Sequence, residues 1–197
     1  MKNLKPLGLA TMAAMALMAF AASSAYASAL YNGATKLSTG STIDFAIPSG
    51  GSSLLVDTNG NTIDKCTSST IKGSLDFNGP TAVTSTTSDL TWSSCTFATK
   101  TLAPGKLEFV WTSGTNGTVK ADATIEITIN TVLFGSCIYG VASGTSLGTL
   151  TTNSSTAATF DGNAVMKRLA NPACPETAKW TATYVSLDPV NLRIESS

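Results

Sequence analysis

Four cysteines, Cys66, Cys95, Cys137 and Cys174, and a complete lack of histidine set the first limits on what chemistry this chain can perform. Cysteines without histidine do not form the common mixed zinc sets, and no C-x-x-C spacing is present to lower a thiol pKa for redox work. The four fall into two sequence-local pairs, so 66–95 and 137–174 are the preferred bonds among three connectivities. In the chain-entropy treatment, closing loops of this size contributes roughly 3–4 kcal/mol each. The cysteines read as staples of a domain that matures in an oxidising compartment.

Other reactive residue types are present without the partners their chemistry needs. Asp57, Asn59, Asn61 and Asp64 offer oxygens at spacings that superficially resemble a calcium loop. However, Gly60 falls between ligand positions and Ser68 stands where a bidentate Glu belongs, while Asn59-Gly60 between apolar runs signals a type I′ hairpin. Serine and threonine are abundant, yet a hydroxyl nucleophile needs a base, and neither S-x-x-K nor G-x-S-x-G occurs at a strand-to-helix turn. The twelve acids contain no pair singled out for glycoside hydrolysis. The sequence therefore assigns no catalytic residue, no cofactor-binding residue and no metal ligand. Among the aromatics, Trp111 and Trp180 lie in phase with strand apolar residues and read as interior, whereas Trp92, close to Cys95, is left open between core and ligand platform.

The elements that position these residues are strands. Ile125, Ile127 and Ile129 alternate with Thr124, Glu126 and Thr128, and the same period of two recurs in Leu107–Trp111, Trp180–Tyr184 and Val190-Leu192-Ile194. Weaker alternation marks Ile43–Ile47, Ser53–Val56, Ile71–Phe77 and Ala157–Phe160. Turn chemistry stands between the runs at Asn59-Gly60, Asn78-Gly79-Pro80, Pro104-Gly105, Asn116-Gly117 and Asp161-Gly162. No helical stripe is evident, so the expected fold is all-β, an immunoglobulin-like antiparallel two-sheet β-sandwich of about eight to ten strands. Residues 41–197 form its single domain, preceded by a weakly patterned leader over 28–40 suited to pairing or swapping.

Residues 1–27 read as a secretory signal peptide: Lys2 and Lys5, an apolar run from Leu7 to Ala22, and small residues at Ala25 and Ala27 for cleavage. The run is too short and too rich in alanine for a membrane span, so none is expected after cleavage. Removing Lys2 and Lys5 leaves ten basic against twelve acidic side chains, a net charge of −2. No basic cluster exists, which argues against nucleic acid as a partner and against a polybasic membrane patch. A surface of Ser, Thr, Asn and Gly suits a protein that is secreted or held at the bacterial cell surface after Sec-type export. Asn116-Gly117-Thr118 and Asn153-Ser154-Ser155 match the glycosylation pattern, which is common by chance in such a composition.

Phe134-Gly135-Ser136-Cys137-Ile138-Tyr139-Gly140, Leu147-Gly148-Thr149-Leu150, Cys174-Pro175 and Trp180-Thr181-Ala182-Thr183-Tyr184, with Leu90-Thr91-Trp92-Ser93-Ser94-Cys95 before them, form a recognisable set. Over residues 62–195 the chain resembles small secreted bacterial proteins similar to the alkane-oxidation protein activators of pseudomonads, the Pra type. The resemblance implies a secreted, non-enzymatic accessory protein acting at cell-surface or oil–water interfaces, whose partner is a hydrophobic substrate or a cell-surface component. Such a role requires an apolar patch on a hardened fold. The alternative is a structural or adhesive subunit that self-associates by strand pairing through the leader or the strand at Thr124–Asn130. A secreted hydrolase is the third class.

Overall fold

β-Branched and small hydroxyl residues alternate throughout this chain, and such residues fit a pleated surface better than a helix. In the computed structural model, which describes residues 28–152 and 156–197, every regular element is accordingly a strand. Residues 1–27, on which the expectation of a signal peptide falls, and Asn153-Ser154-Ser155 lie outside the described residues. In chain order the strands are β1 (Ser28–Asn32), β2 (Thr35–Lys36), β3 (Thr42–Ala46), β4 (Ser53–Asp57) and β5 (Thr62–Gly79). Next come β6 (Ala82–Cys95), β7 (Ala98–Ala103), β8 (Lys106–Ser113), β9 (Asn116–Ala123) and β10 (Ile125–Thr131). The last are β11 (Gly135–Val141), β12 (Ser146–Thr151), β13 (Thr159–Ala170), β14 (Thr177–Asp188) and β15 (Leu192–Ser196).

The pairing is antiparallel and sandwich-like, in sheets of twelve and three strands. Four long strands, β5, β6, β13 and β14, run the length of the larger sheet. Short strands lie end to end beside them: β3 and β4 both fill the space between β14 and β5, and β12 and β11 share one edge of β13. In one half of the molecule the ladders β13–β14–β3–β5–β6–β8–β9–β12 return to β13 and close. In the other half β4 takes the place of β3, and β11, β10 and β7 extend from β13 toward β6. There β6 and β7 face each other without a ladder, leaving a seam.

Fifteen strands stand where eight to ten were expected, among them β6, β7 and β12, which are built largely from Thr, Ser, Gly and Ala and carry little apolar alternation. The leader is not a loose segment. β1 is paired with β15 on one side and β2 on the other, Ala29 and Leu30 are fully buried, and the Asn78 side chain clamps them. Its Oδ1 accepts from Leu30 N at 2.9 Å, and its Nδ2 donates to Leu30 O and Leu37 O at 2.8 Å. β10 is likewise paired on both edges, by β11 and β7, so the strand considered for self-association is not an open edge.

Two of the expected turns lie inside strands. Asn116-Gly117 begins β9, and the chain turns instead at Gly114, whose φ is 54°. A Cβ on Gly117 would stand 2.7 Å from Cδ1 of Ile194, so this glycine admits a neighbour. Asp161-Gly162 lies within β13, where Gly162 sits beneath the Trp180 ring with room for no side chain. Asn59-Gly60 does join β4 to β5, but only Gly60 has positive φ, so the turn is not type I′. Val190 falls out of phase with Leu192 and Ile194 and lies exposed in the β14–β15 turn.

The core gathers around Phe45, Phe160, Trp180 and Tyr184, with Phe160 and Tyr184 stacked at 5.9 Å. Its aromatic polar atoms are matched: Tyr184 Oη lies 2.9 Å from Ser69 Oγ, and Trp180 Nε1 donates to Ser53 Oγ at 3.0 Å. Burial holds the Tyr184 phenol far above its ordinary pKa. Trp180 is interior as expected, whereas Trp111 is only half-buried and its Nε1 donates to Gly114 O. Trp92 lies at the core's margin, edge-on to Trp180 at 6.4 Å.

Candidate functional site

The residues first considered for chemistry are occupied structurally. Asp57 folds its carboxylate back over the β4–β5 turn, accepting from Asn59 N and Asn61 N at 2.8 Å and from Asn61 Nδ2 at 2.9 Å. The Asn61 side-chain amide, followed by the turn's backbone N–H groups, holds its pKa below the usual carboxylate value. Asp64, by contrast, is buried in β5 and accepts from Lys65 N at 2.8 Å, Phe97 N at 3.0 Å and Thr99 Oγ1 at 2.5 Å. One carboxylate shapes a hairpin and the other ties the β6–β7 corner. They do not form the ligand set of a calcium loop.

Asp64 also lies beside Cys66 and Cys95, but both sulfurs are consumed in a disulfide and offer no thiolate to a metal. The second bond joins Cys137 to Cys174, so the pairing is the one preferred from spacing. Asp44 and Asp188 meet in register across β3 and β14. Burial raises the Asp44 pKa, opposed by Lys72 and reinforced by Asp188.

What stands out instead is an apolar tip. The alternation of β10 breaks after Thr131 into three consecutive apolar residues, Val132, Leu133 and Phe134, and Gly135, at φ 71°, starts β11. Val132 and Leu133 are each 86% exposed and Phe134 38% exposed. No acidic or basic residue occurs between Glu126 and Asp161, so this tip belongs to a stretch of chain without formal charge.

The backbone of the tip is tied down from both sides. Thr131 Oγ1 accepts from Phe134 N at 3.0 Å and donates to Gly135 O at 3.1 Å. From the β13–β14 connection, Asn171 Nδ2 donates to Phe134 O at 2.6 Å and Ser136 O at 3.0 Å. Asn171 itself adopts φ 68° and accepts from Ala173 N through Oδ1. The Cys137–Cys174 bond welds the same connection to β11, and Cys66–Cys95 joins β5 to β6 at the same end of the molecule. Side chains that water does not favour are therefore presented on a backbone already ordered, so little conformational entropy is lost when they are covered.

Of these residues only the cysteines stand out in the sequence for the part they play here. Phe134 appeared only inside a resemblance motif, and Val132 and Leu133 were passed over. The available signal was the loss of period two across three apolar residues followed by glycine, in a place where a hairpin turn should be polar. The chain matches no protein-family model, no curated protein and no solved structure.

Proposed function

We propose that this is a secreted, non-enzymatic accessory protein that acts by contact at a cell-surface or oil–water interface and promotes the use of hydrophobic substrates such as alkanes. The observation that carries this reading is the Val132-Leu133 tip, 86% exposed at both residues yet held by Thr131, Asn171 and a disulfide. A rigid apolar projection on a low-charge, hydroxyl-rich body inserts into an oily phase while the body stays hydrated. Two disulfides are consistent with an extracellular or periplasmic setting. The substrate class comes from the resemblance to the alkane-oxidation activators. The competing adhesive reading relied on the leader or β10 as a free strand; β10 is paired on both edges and β1 lies between β15 and β2, so the leader leaves only the two-residue β2 at a sheet edge.

The test is adsorption of the purified, oxidised protein to hexadecane droplets, with interfacial tension and emulsion lifetime followed against an inert secreted β-sandwich of similar size. Specific adsorption with a longer-lived emulsion is the expected result. Behaviour equal to the control would sink the reading and put the adhesive one first.

A further inference from the structure

No run of basic residues marks the sequence, yet folding brings distant lysines onto one outer face of the larger sheet. Alternation along β13 and β14 buries Ala164, Met166, Ala178 and Trp180, so Val165, Lys167 and Lys179 point outward. Val165 is matched to Lys179, and Lys179 in turn to Val56 of β4; at the neighbouring outward position Leu54 is matched to Lys65 of β5. Lys167 stands opposite Gly140 of β11, and Leu169 leans over that glycine, where a Cβ would lie 2.7 Å from its Cδ1. Val165 and Leu169 are 57% and 51% exposed. The result is an apolar field with ammonium groups set among and beside its side chains.

These lysines have no counterion. The ion pairs among the described residues use Lys106, Lys120 and Arg193, and none uses Lys65, Lys167 or Lys179. No acid stands among them on the face. Asp64, next to Lys65, is buried; Asp57 and Glu176 border the face beside Phe134, and Asp161 lies beyond Asn163 along β13. Uncompensated ammonium groups around exposed apolar side chains complement a surface that is anionic outside and oily beneath, because a lysine stem can lie along apolar neighbours while its head reaches a phosphate.

We infer that this face docks on a bilayer containing anionic phospholipid, with headgroup phosphates at Lys65, Lys167 and Lys179 and the acyl boundary against Val56, Val165 and Leu169. Such docking rests on the proposed action at a cell surface and gives that surface a chemistry, while using neither Val132 nor Leu133. A neutral oil would leave the lysines idle, and a soluble polyanion would leave the apolar side chains in water. The chain without residues 1–27 carries a net charge of −2, so its charge as a whole opposes an anionic surface. Binding that grows with anionic lipid therefore reports a local positive face.

The experiment is co-sedimentation of the purified, oxidised protein with phosphatidylcholine vesicles, with and without phosphatidylglycerol. Binding should require phosphatidylglycerol and weaken as salt is raised. Lys65→Gln, Lys167→Gln and Lys179→Gln should each weaken it about fivefold, and Lys36→Gln, on the three-stranded sheet, hardly at all. V165S/L169S should weaken it roughly tenfold. V132S/L133S should keep the dependence on phosphatidylglycerol even where it abolishes adsorption to hexadecane, so a failure of the tip and a failure of this face are told apart. Equal binding to both kinds of vesicle or to neither, Lys36→Gln costing as much as Lys167→Gln, or V165S/L169S binding unchanged, the mark of a polyanion surface only, would each overturn the inference.

Discussion

Replacing Val132 and Leu133 together by serine removes the apolar side chains from the tip and leaves the rest of the surface intact. Fully burying a Val or Leu side chain is worth about 1.5–3 kcal/mol, and at 86% exposure nearly all of that remains to be gained at an oil surface. The two residues together account for about 2.5–5 kcal/mol, or roughly two to three and a half orders of magnitude in the partition constant. Folding stability should hardly change, within about 0.5 kcal/mol, because neither side chain is packed in the native state. The assay is a binding isotherm of labelled protein on hexadecane droplets, run beside a urea titration of the same samples. Val190→Ser is the control: 56% exposed, it lies in the β14–β15 turn at the other end of β14, and it should lower adsorption little. A double variant that partitions within threefold of the original protein would refute the reasoning. So would an equal loss from Val190→Ser, which would mean that adsorption is general rather than directed by the tip.

Asp64→Ala should destabilise the fold by about 3–5 kcal/mol, since it removes the charged acceptor of Lys65 N, Phe97 N and Thr99 Oγ1 and strands donors at the β6–β7 corner. A urea midpoint shifted by the equivalent of less than about 1 kcal/mol would show that water or Asn-like rearrangement replaces the carboxylate easily. Asp44 acts in the opposite sense. Its folded-state pKa is raised, chiefly by burial, so the stabilisation it contributes is complete below the unfolded carboxylate pKa and is lost as pH rises through the folded value. D44N should therefore be more stable than the original protein at pH 7, with the difference narrowing as the pH is lowered past the carboxylate range; urea titrations from acid to neutral pH that gave a constant difference would contradict this.

Ile125, Ile127 and Ile129 announce β10 because a strand with one buried face must alternate strongly, and all three side chains are buried. β7, with the sequence Ala98-Thr99-Lys100-Thr101-Leu102-Ala103, gives no such announcement. Its alternation is between half-buried threonines and exposed side chains, and its Thr99 and Thr101 earn their positions through Asp64 and Trp92, which are remote in sequence. Glycine misled in the same way. Gly117 and Gly162 are needed because Ile194 and Trp180 press against them, and no local pattern distinguishes that use from a turn. Cysteine pairing was legible because each pair closes a local loop. The apolar tip was not, since three hydrophobic residues in a row read as more strand until the neighbouring loop and its Asn171 are in place.

The pairing of β1 with β15 also has a consequence for the order in which the fold can be completed. Ser28 is matched to Ser196 and Asn32 to Leu192, so the earliest described strand waits for the last one to be synthesised. Until then Leu30 lacks the partner strand that carries Ile194, and the Asn78 clamp holds only one edge of β1. Contacts this distant in sequence are slow to form, and the ladder of β3 with β14 in the larger sheet, which matches Ala46 to Val185, waits in the same way. A chain interrupted before Leu192 would carry an unpaired β1 edge, the kind of surface that captures a strand from another molecule.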